Sequence, residues 1–272
     1  MKSSLESRAL RGRTSRSGER ELRLMSRVAA FLGVGYLLIL CCPQVLFAHQ
    51  VVYRRYTVCS TGTIDPGLTV VLDRVDSLLA TSPIADRALR PRIVLFDRPG
   101  GYAALSLFHG GRSFGKSFVA LPPDNVFINA HDVAHDLVFR GAAENDVRSL
   151  SGVIAHEVTH LLVRRKFGYW RNLAFPAWKK EGYAEYVAGG STLPYETGVR
   201  MWRARPEDST GYRYFQYSMV VKYLLEHEGL TAEALFDREI DFEATAHVVW
   251  KSLMNGNAVE GSPPAADRSS DS

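Results

Sequence analysis

Cysteine is scarce in this chain. Of its three cysteines, Cys41 and Cys42 sit inside an apolar run, which leaves Cys59 with no partner in the rest of the chain. A disulfide framework is excluded, and a domain of this size can fold on its apolar core alone. Cys59 is either a free thiol or a cross-chain partner, and no His lies beside it to make it a catalytic thiol. A basic excess is also missing from most of the chain. The total charge is +4, but residues 1–27 carry eight Lys and Arg against three Glu, a balance of +5, so the remainder carries −1. The bulk of the protein therefore lacks the electrostatic footprint of a nucleic-acid binder, and no nucleic-acid partner is expected. There is no internal repeat.

One segment has no charge at all. Val28 to Ala48 is an apolar run without a charged residue and is long enough to cross a bilayer as a helix. Basic residues precede it and none follows at once, which predicts a cytoplasmic N-terminus and a following domain outside the cytoplasm, periplasmic beyond an inner membrane. A cleaved signal peptide is the alternative. A long basic region, a long apolar run and Leu46 three residues back from a cut after Ala48 favour a single-pass anchor. The chain thus divides into a basic cytoplasmic tail (1–27) that reads as disordered, an anchor (28–48), a folded domain (49–255) and a polar, disordered tail (256–272).

Within the domain, Val51–Ser60 reads as a strand, and Asp65-Pro66 opens an amphipathic helix carrying Leu68, Val71, Leu72, Val75 and Leu79. Arg92–Phe96 reads as a strand, and residues 98–116 as a glycine-rich loop around a short helix. Ser117–Leu121 and Val126–Asn129 suggest a hairpin. A helix follows over 145–168, capped by Asn145 or Asp146 and stopped at Gly168. Pro176 opens another that ends near Gly189-Gly190, and Tyr214–Glu226 is a third. Strands before helices predict an α+β domain.

The chemistry sits on the first two of those helices. His156-Glu157-Val158-Thr159-His160 is an H-E-x-x-H sequence. Residues four apart share a helix face, so both imidazoles can bind one metal ion, with Glu157 about a quarter-turn away as a general base. A catalytic zinc site takes three protein ligands and leaves one position open. A third ligand cannot come from an H-x-x-G-x-x-H extension, because Val163 and Lys166 stand where Gly and His are needed. Glu181 is the best candidate. Twenty residues separate it from His160, enough for a helix end, a loop and a return, and Glu185 follows one turn later on the same face. A carboxylate there can accept the spare N–H of a ligand histidine. The motif region holds no Cys, which argues against a closed structural zinc site. Arg148, Arg164, Arg165 and Lys166 flank the motif closely, which argues against an intramembrane protease. His131 and His135 are also four apart, but they lack the Glu and the second helix.

Together, H-E-x-x-H and Trp178-Lys179-Lys180-Glu181-Gly182-Tyr183-Ala184-Glu185-Tyr186 resemble the gluzincin metallopeptidases, in particular membrane-associated or exported domains with W-x-x-E-G-x-A-E-Y. The resemblance covers roughly residues 90–228. It implies Zn2+ on His156, His160 and Glu181, Glu157 as base and Glu185 as a partner behind the ligands. It also implies a zincin-like fold, a small twisted sheet and then a helical half, with an edge strand pairing to extended peptide or protein substrate. Either Val126–Asn129 or Ser117–Leu121 would be that strand. A tyrosine oxyanion donor is implied too. Tyr214 fits the register best, with Tyr212 and Tyr217 close by, and Tyr183 is bulkier than the expected Leu, a change expected to bear on the pocket. The competing reading is a catalytically silent zincin-like binding or chaperone module, which would have no use for Glu157. Nothing in the sequence sets an oligomeric state.

Overall fold

The computed structural model of the chain describes residues 2–43, 47–105, 113–118, 124–140, 147–190, 193–204 and 210–254. It separates into two units, Met1–Leu46 and Phe47–Ser272.

The first unit is one helix, α1 (Lys2–Cys41). The expectation of a disordered tail over 1–27 is corrected, because helix runs through it. Gly12 and Gly18 are the only glycines there, among Arg, Glu, Leu and Ala, which are good helix formers. Within the expected anchor span Val28–Ala48, the helix α1 ends early. α1 stops at Cys41, two residues before Pro43, whose ring fits neither a helix interior nor a helical residue before it. The helical stretch long and apolar enough to cross a membrane is therefore Glu21–Cys41, a property that a signal sequence shares. Residues 44–46, within the expected Val28–Ala48 span, lie outside the described residues.

The second unit is a mixed α+β domain. Val51–Ser60, expected as one strand, is two: β1 (His49–Tyr53) and β2 (Tyr56–Ser60), paired antiparallel. The chain reverses at Arg54, which takes a left-handed φ of 50°. The bend is held where the Arg55 guanidinium and the Tyr56 hydroxyl both donate to Asp76 Oδ1. Next come α2 (Leu68–Ala80), β3 (Arg92–Leu95), α3 (Pro99–Leu105), β4 (Gly115–Ser117) and β5 (Asn125–Ile128). The strand order is β1-β2-β3-β5-β4. β2, β3 and β5 run parallel, while β1 and β4 are antiparallel edges. The expected order of strands before helices is thus only partly met, since α2 connects two parallel strands. In the expected hairpin the first strand is Gly115–Ser117, and residues 119–123, including Leu121, lie outside the described residues. A second, antiparallel sheet holds β6 (His131–Asp132), β7 (Leu137–Phe139) and β8 (Val147–Ser149).

The helical half begins with α4 (Leu150–Phe167) and continues through α5 (Tyr169–Ala174), α6 (Ala177–Val187), α7 (Tyr195–Ala204) and α8 (Thr210–Lys222). A π-helical turn, Tyr223–His227, prolongs α8, and α9 (Ala232–Asp237) and α10 (Phe242–Met254) complete it. The cap of α4 is Ser149, whose hydroxyl accepts from the Gly152 N–H; the expected caps Asn145 and Asp146 lie outside the described residues. Gly168 ends α4 with φ +86°, a conformation that favours glycine. The expected tail 256–272 also lies outside the described residues.

α4 is the axis of this domain. Residues from Leu150 through Val163 are buried nearly all round it, as expected for a helix with neighbours on every side. The apolar stripe of α2 (Leu68, Val71, Leu72, Val75, Leu79) belongs to the same core. α6 packs on α8 through Gly182, where a Cβ would stand 2.5 Å from the Tyr217 carbonyl oxygen and 2.7 Å from Val221 Cγ2. Gly182→Ala must push the two helices apart. Overpacking of this kind costs about 3 kcal/mol at its upper end, and the helix propensity of Ala returns about 1 kcal/mol. Thermal denaturation is expected to show a net loss of about 2 kcal/mol on those figures.

Candidate metal centre

α4 and α6 bring the expected ligands together. His156 Nε2 and His160 Nε2 are 3.2 Å apart, and Glu181 Oε2 lies 3.3 Å from the first and 3.5 Å from the second. Among the described residues this is the one group of three His, Cys or acidic side chains close enough to share an ion. Tetrahedral zinc with bonds of about 2.0–2.1 Å separates neighbouring ligand atoms by about 3.3–3.4 Å. The triangle therefore has the edges of one face of such a tetrahedron.

Charge in the cluster points the same way. Burial opposes a charged His156, but Glu185 and Glu181 outweigh it and push the imidazole up to about 10. Burial likewise opposes ionised Glu181, yet the two imidazoles hold its carboxyl well below the usual range. The carboxylates thus demand a cation between them. A proton on His156 supplies one, and a divalent metal on neutral imidazoles supplies a stronger one.

Glu185 is fully buried behind the triangle. Its Oε1 lies 3.2 Å from His156 Nδ1, yet Nδ1 makes no aligned hydrogen bond. A small ring rotation would align the pair. Arg148 grips Glu185 with two N–H donations of 3.0 and 2.9 Å, the fork geometry that suits a carboxylate. The sequence treated Arg148 only as a charge flanking the motif. Its role was not visible because it reaches from β8 to α6, thirty-seven residues away.

The triangle lies in a cleft of about 370 Å³, lined also by Glu157, Tyr214 and the edge strand β4. Glu157 is 8% exposed. β4 passes close beside it. A Cβ on Gly115 would stand 3.0 Å from Val153 Cγ1 and 3.2 Å from Glu157 Cγ, so glycine lets the strand approach α4 this closely. Of the two strands expected to border the site, Val126–Asn129 is the inner one, β5, and the strand at the edge is Gly115–Ser117.

The three candidate tyrosines separate. Tyr214 faces the cleft, and burial followed by Glu181, Glu157 and Glu185 pushes its hydroxyl far above the ordinary phenol range. The Tyr212 hydroxyl accepts from Gln216 at 3.0 Å, and Tyr217 packs edge-on against Phe242. Tyr183 does not bear on the pocket as expected. It is fully buried, with its hydroxyl 2.7 Å from Ser82 Oγ. His131 and His135 fall on a strand and a turn rather than a helix. His131 Nδ1 meets the Phe96 carbonyl at 3.1 Å, and His135 is 73% exposed beside Asp132.

The chain matches no known protein family and none of the curated proteins.

Proposed function

We propose that this protein is a zinc-dependent hydrolase of the gluzincin type, a metallopeptidase with a zincin-like domain. The observation that carries the reading is the triangle of His156, His160 and Glu181, with edges of 3.2–3.5 Å, inside a cleft that also presents Glu157 and an edge strand. His156, His160 and Glu181 would hold Zn2+, and three ligands leave one position open. Zinc, when bound, supplies a Lewis acid that polarises the scissile carbonyl and lowers the pKa of water.

The remaining steps belong to the chain. The Glu157 carboxylate takes the proton of the attacking water and delivers it to the leaving nitrogen. The Tyr214 hydroxyl, kept protonated by its buried and anionic surroundings, donates to the developing oxyanion rather than acting as a base. The outer edge of β4 offers backbone N–H and C=O groups to an extended chain, which favours peptide or protein as substrate. Arg148 holds Glu185, and Glu185 in turn orients His156.

Elemental analysis of the purified chain, followed by incubation with a diverse peptide library, tests the proposal. Zinc at one equivalent with peptide cleavage is expected. Zinc without cleavage would favour a silent binding module. The ligand roles have a separate test by titration against a competing chelator. Glu181→Ala is expected to lose zinc affinity severely, whereas Glu185→Ala loses about 10–100-fold, as for partners behind the ligands. Zinc release by Glu185→Ala alone would exchange the two roles.

The membrane reading completes the proposal. The apolar helix anchors the protein in the inner membrane with its basic N-terminus in the cytoplasm and the domain outside. In spheroplasts, added protease is expected to digest the domain and spare the basic tail. Protection of the domain would place it in the cytoplasm and reverse the topology.

A further inference from the structure

Four arginines border a hollow that the metal centre does not reach. Arg54, Arg55, Arg87 and Arg90 line a cavity of about 750 Å³ together with Asp76 and the end of α2. None of these residues lines the metal cleft. The chain after residue 27 carries a net charge of −1, so four guanidinium groups around one carboxylate are a local departure from its balance.

Two segments present the arginines. Arg54 and Arg55 form the reversal between β1 and β2, and Arg87 and Arg90 stand on the connection from α2 to β3. That connection is tied down. Ile84 and Leu89 are buried in the core, the Ala88 N–H donates to Asp86 Oδ1 at 2.7 Å, and the Leu89 N–H donates to the Asp86 carbonyl at 3.2 Å.

The two pairs of arginines differ in how their charge is met. Arg54 lies 2.9 Å from Asp73, and Arg55 lies 2.6 Å from Asp76. Arg55 is held further by the Asp86 carbonyl and the Tyr56 hydroxyl. These two are balanced and form a wall. Arg90 Nη1 donates to the carbonyls of Arg87 and Leu89 at 2.6 and 3.3 Å, bonds that orient the guanidinium but bring no negative charge to it. The Arg87 side chain has no hydrogen bond or ion pair among the described residues. Its neighbour Asp86 pairs with Arg165 instead. Arg87 and Arg90 therefore bring two positive charges that no carboxylate of the domain pairs with.

We propose that this hollow binds a phosphate monoester, gripped by Arg87 and Arg90 against the wall made by Arg54 and Arg55. A guanidinium offers a planar fork of donors that fits two phosphate oxygens at once, and its weak hydration makes it cheap to strip of water. A phosphate monoester carries close to two negative charges at neutral pH, which matches the two unpaired cations, whereas a carboxylate answers only one. The monoester is either part of a soluble molecule or the terminal phosphate of a lipid, which the membrane reading above brings within reach. The inference does not depend on the metal centre.

The test is calorimetric titration of the full chain in a nonionic detergent at low salt. The probes are phenyl phosphate, benzoate as the carboxylate of similar shape, and dihexanoyl phosphatidic acid. Phenyl phosphate is expected to bind at least about tenfold more tightly than benzoate, with the difference shrinking as salt screens it. Arg87→Gln/Arg90→Gln is expected to weaken phosphate binding by at least about tenfold. Arg87→Lys/Arg90→Lys, which keeps the charge and loses the fork, is expected to fall between. Arg171→Gln, which removes an arginine paired with Asp237 on the helical half, is expected to change nothing. Any phosphate bound at the metal is common to all the variants and cancels in the comparison. Circular dichroism verifies that each variant folds. Arginine-dependent binding of both phosphate probes assigns the phosphate group itself as the ligand; such binding of the lipid alone assigns a headgroup. The inference is overturned if neither phosphate probe binds, if benzoate binds as tightly as phenyl phosphate, or if the double glutamine variant binds phosphate as the wild type does.

Discussion

Glu157→Gln is expected to reduce peptide hydrolysis by at least 10²–10⁴-fold, on the order of what a positioned general base contributes, and to leave zinc fully bound. Glutamine keeps the shape of the side chain and removes the proton acceptor. The site can absorb the change, because Glu157 is not a corner of the triangle and β4 packs over it at Gly115. The measurement is kcat on a cleaved peptide beside zinc content by elemental analysis. Parallel loss of zinc and of activity would show that Glu157 ligates the metal and that the base lies elsewhere.

Tyr214→Phe is expected to lower kcat by about 10²–10³-fold, with KM and zinc content largely kept, because an oxyanion donor acts in the transition state rather than on bound substrate. The substitution removes one hydroxyl and keeps the ring, so its packing beside Tyr217 survives. Tyr217→Phe and Tyr212→Phe serve as controls. Tyr217 packs against Phe242, and the Tyr212 hydroxyl is engaged by Gln216. Near-normal turnover in Tyr214→Phe beside a large loss in Tyr217→Phe would transfer the role. No loss in either would remove the donor from α8.

The candidate site was largely legible in the sequence because its parts repeat with the helix. His156 and His160 are one turn apart, as are Glu181 and Glu185, and a helix converts that spacing into a shared face whatever surrounds it. Gly182 was legible as part of a motif, but its reason was not. It is the point where α6 meets the backbone of α8, and no local pattern encodes that approach. Element boundaries failed where a single residue decides them. Arg54 reverses a run of β-forming residues into a hairpin, and Pro43 ends a helix that composition alone would have carried to Ala48.

By itself the sequence marked the proposed ligand pair His156 and His160, the proposed base Glu157, the proposed third ligand Glu181 on a second helix and an apolar segment before the domain. Each follows from periodicity or composition within a few turns of chain. Tertiary structure alone decided that Glu181 closes the triangle at 3.3 and 3.5 Å, and that Arg148 holds Glu185. It also decided that Tyr214 rather than its neighbours faces the cleft, and that the edge strand β4 lines it. Those facts join residues up to about a hundred positions apart, and their distances depend on how α4, α6, α8 and the edge strand pack. Packing of that kind is a property of the whole core, which short-range spacing does not encode.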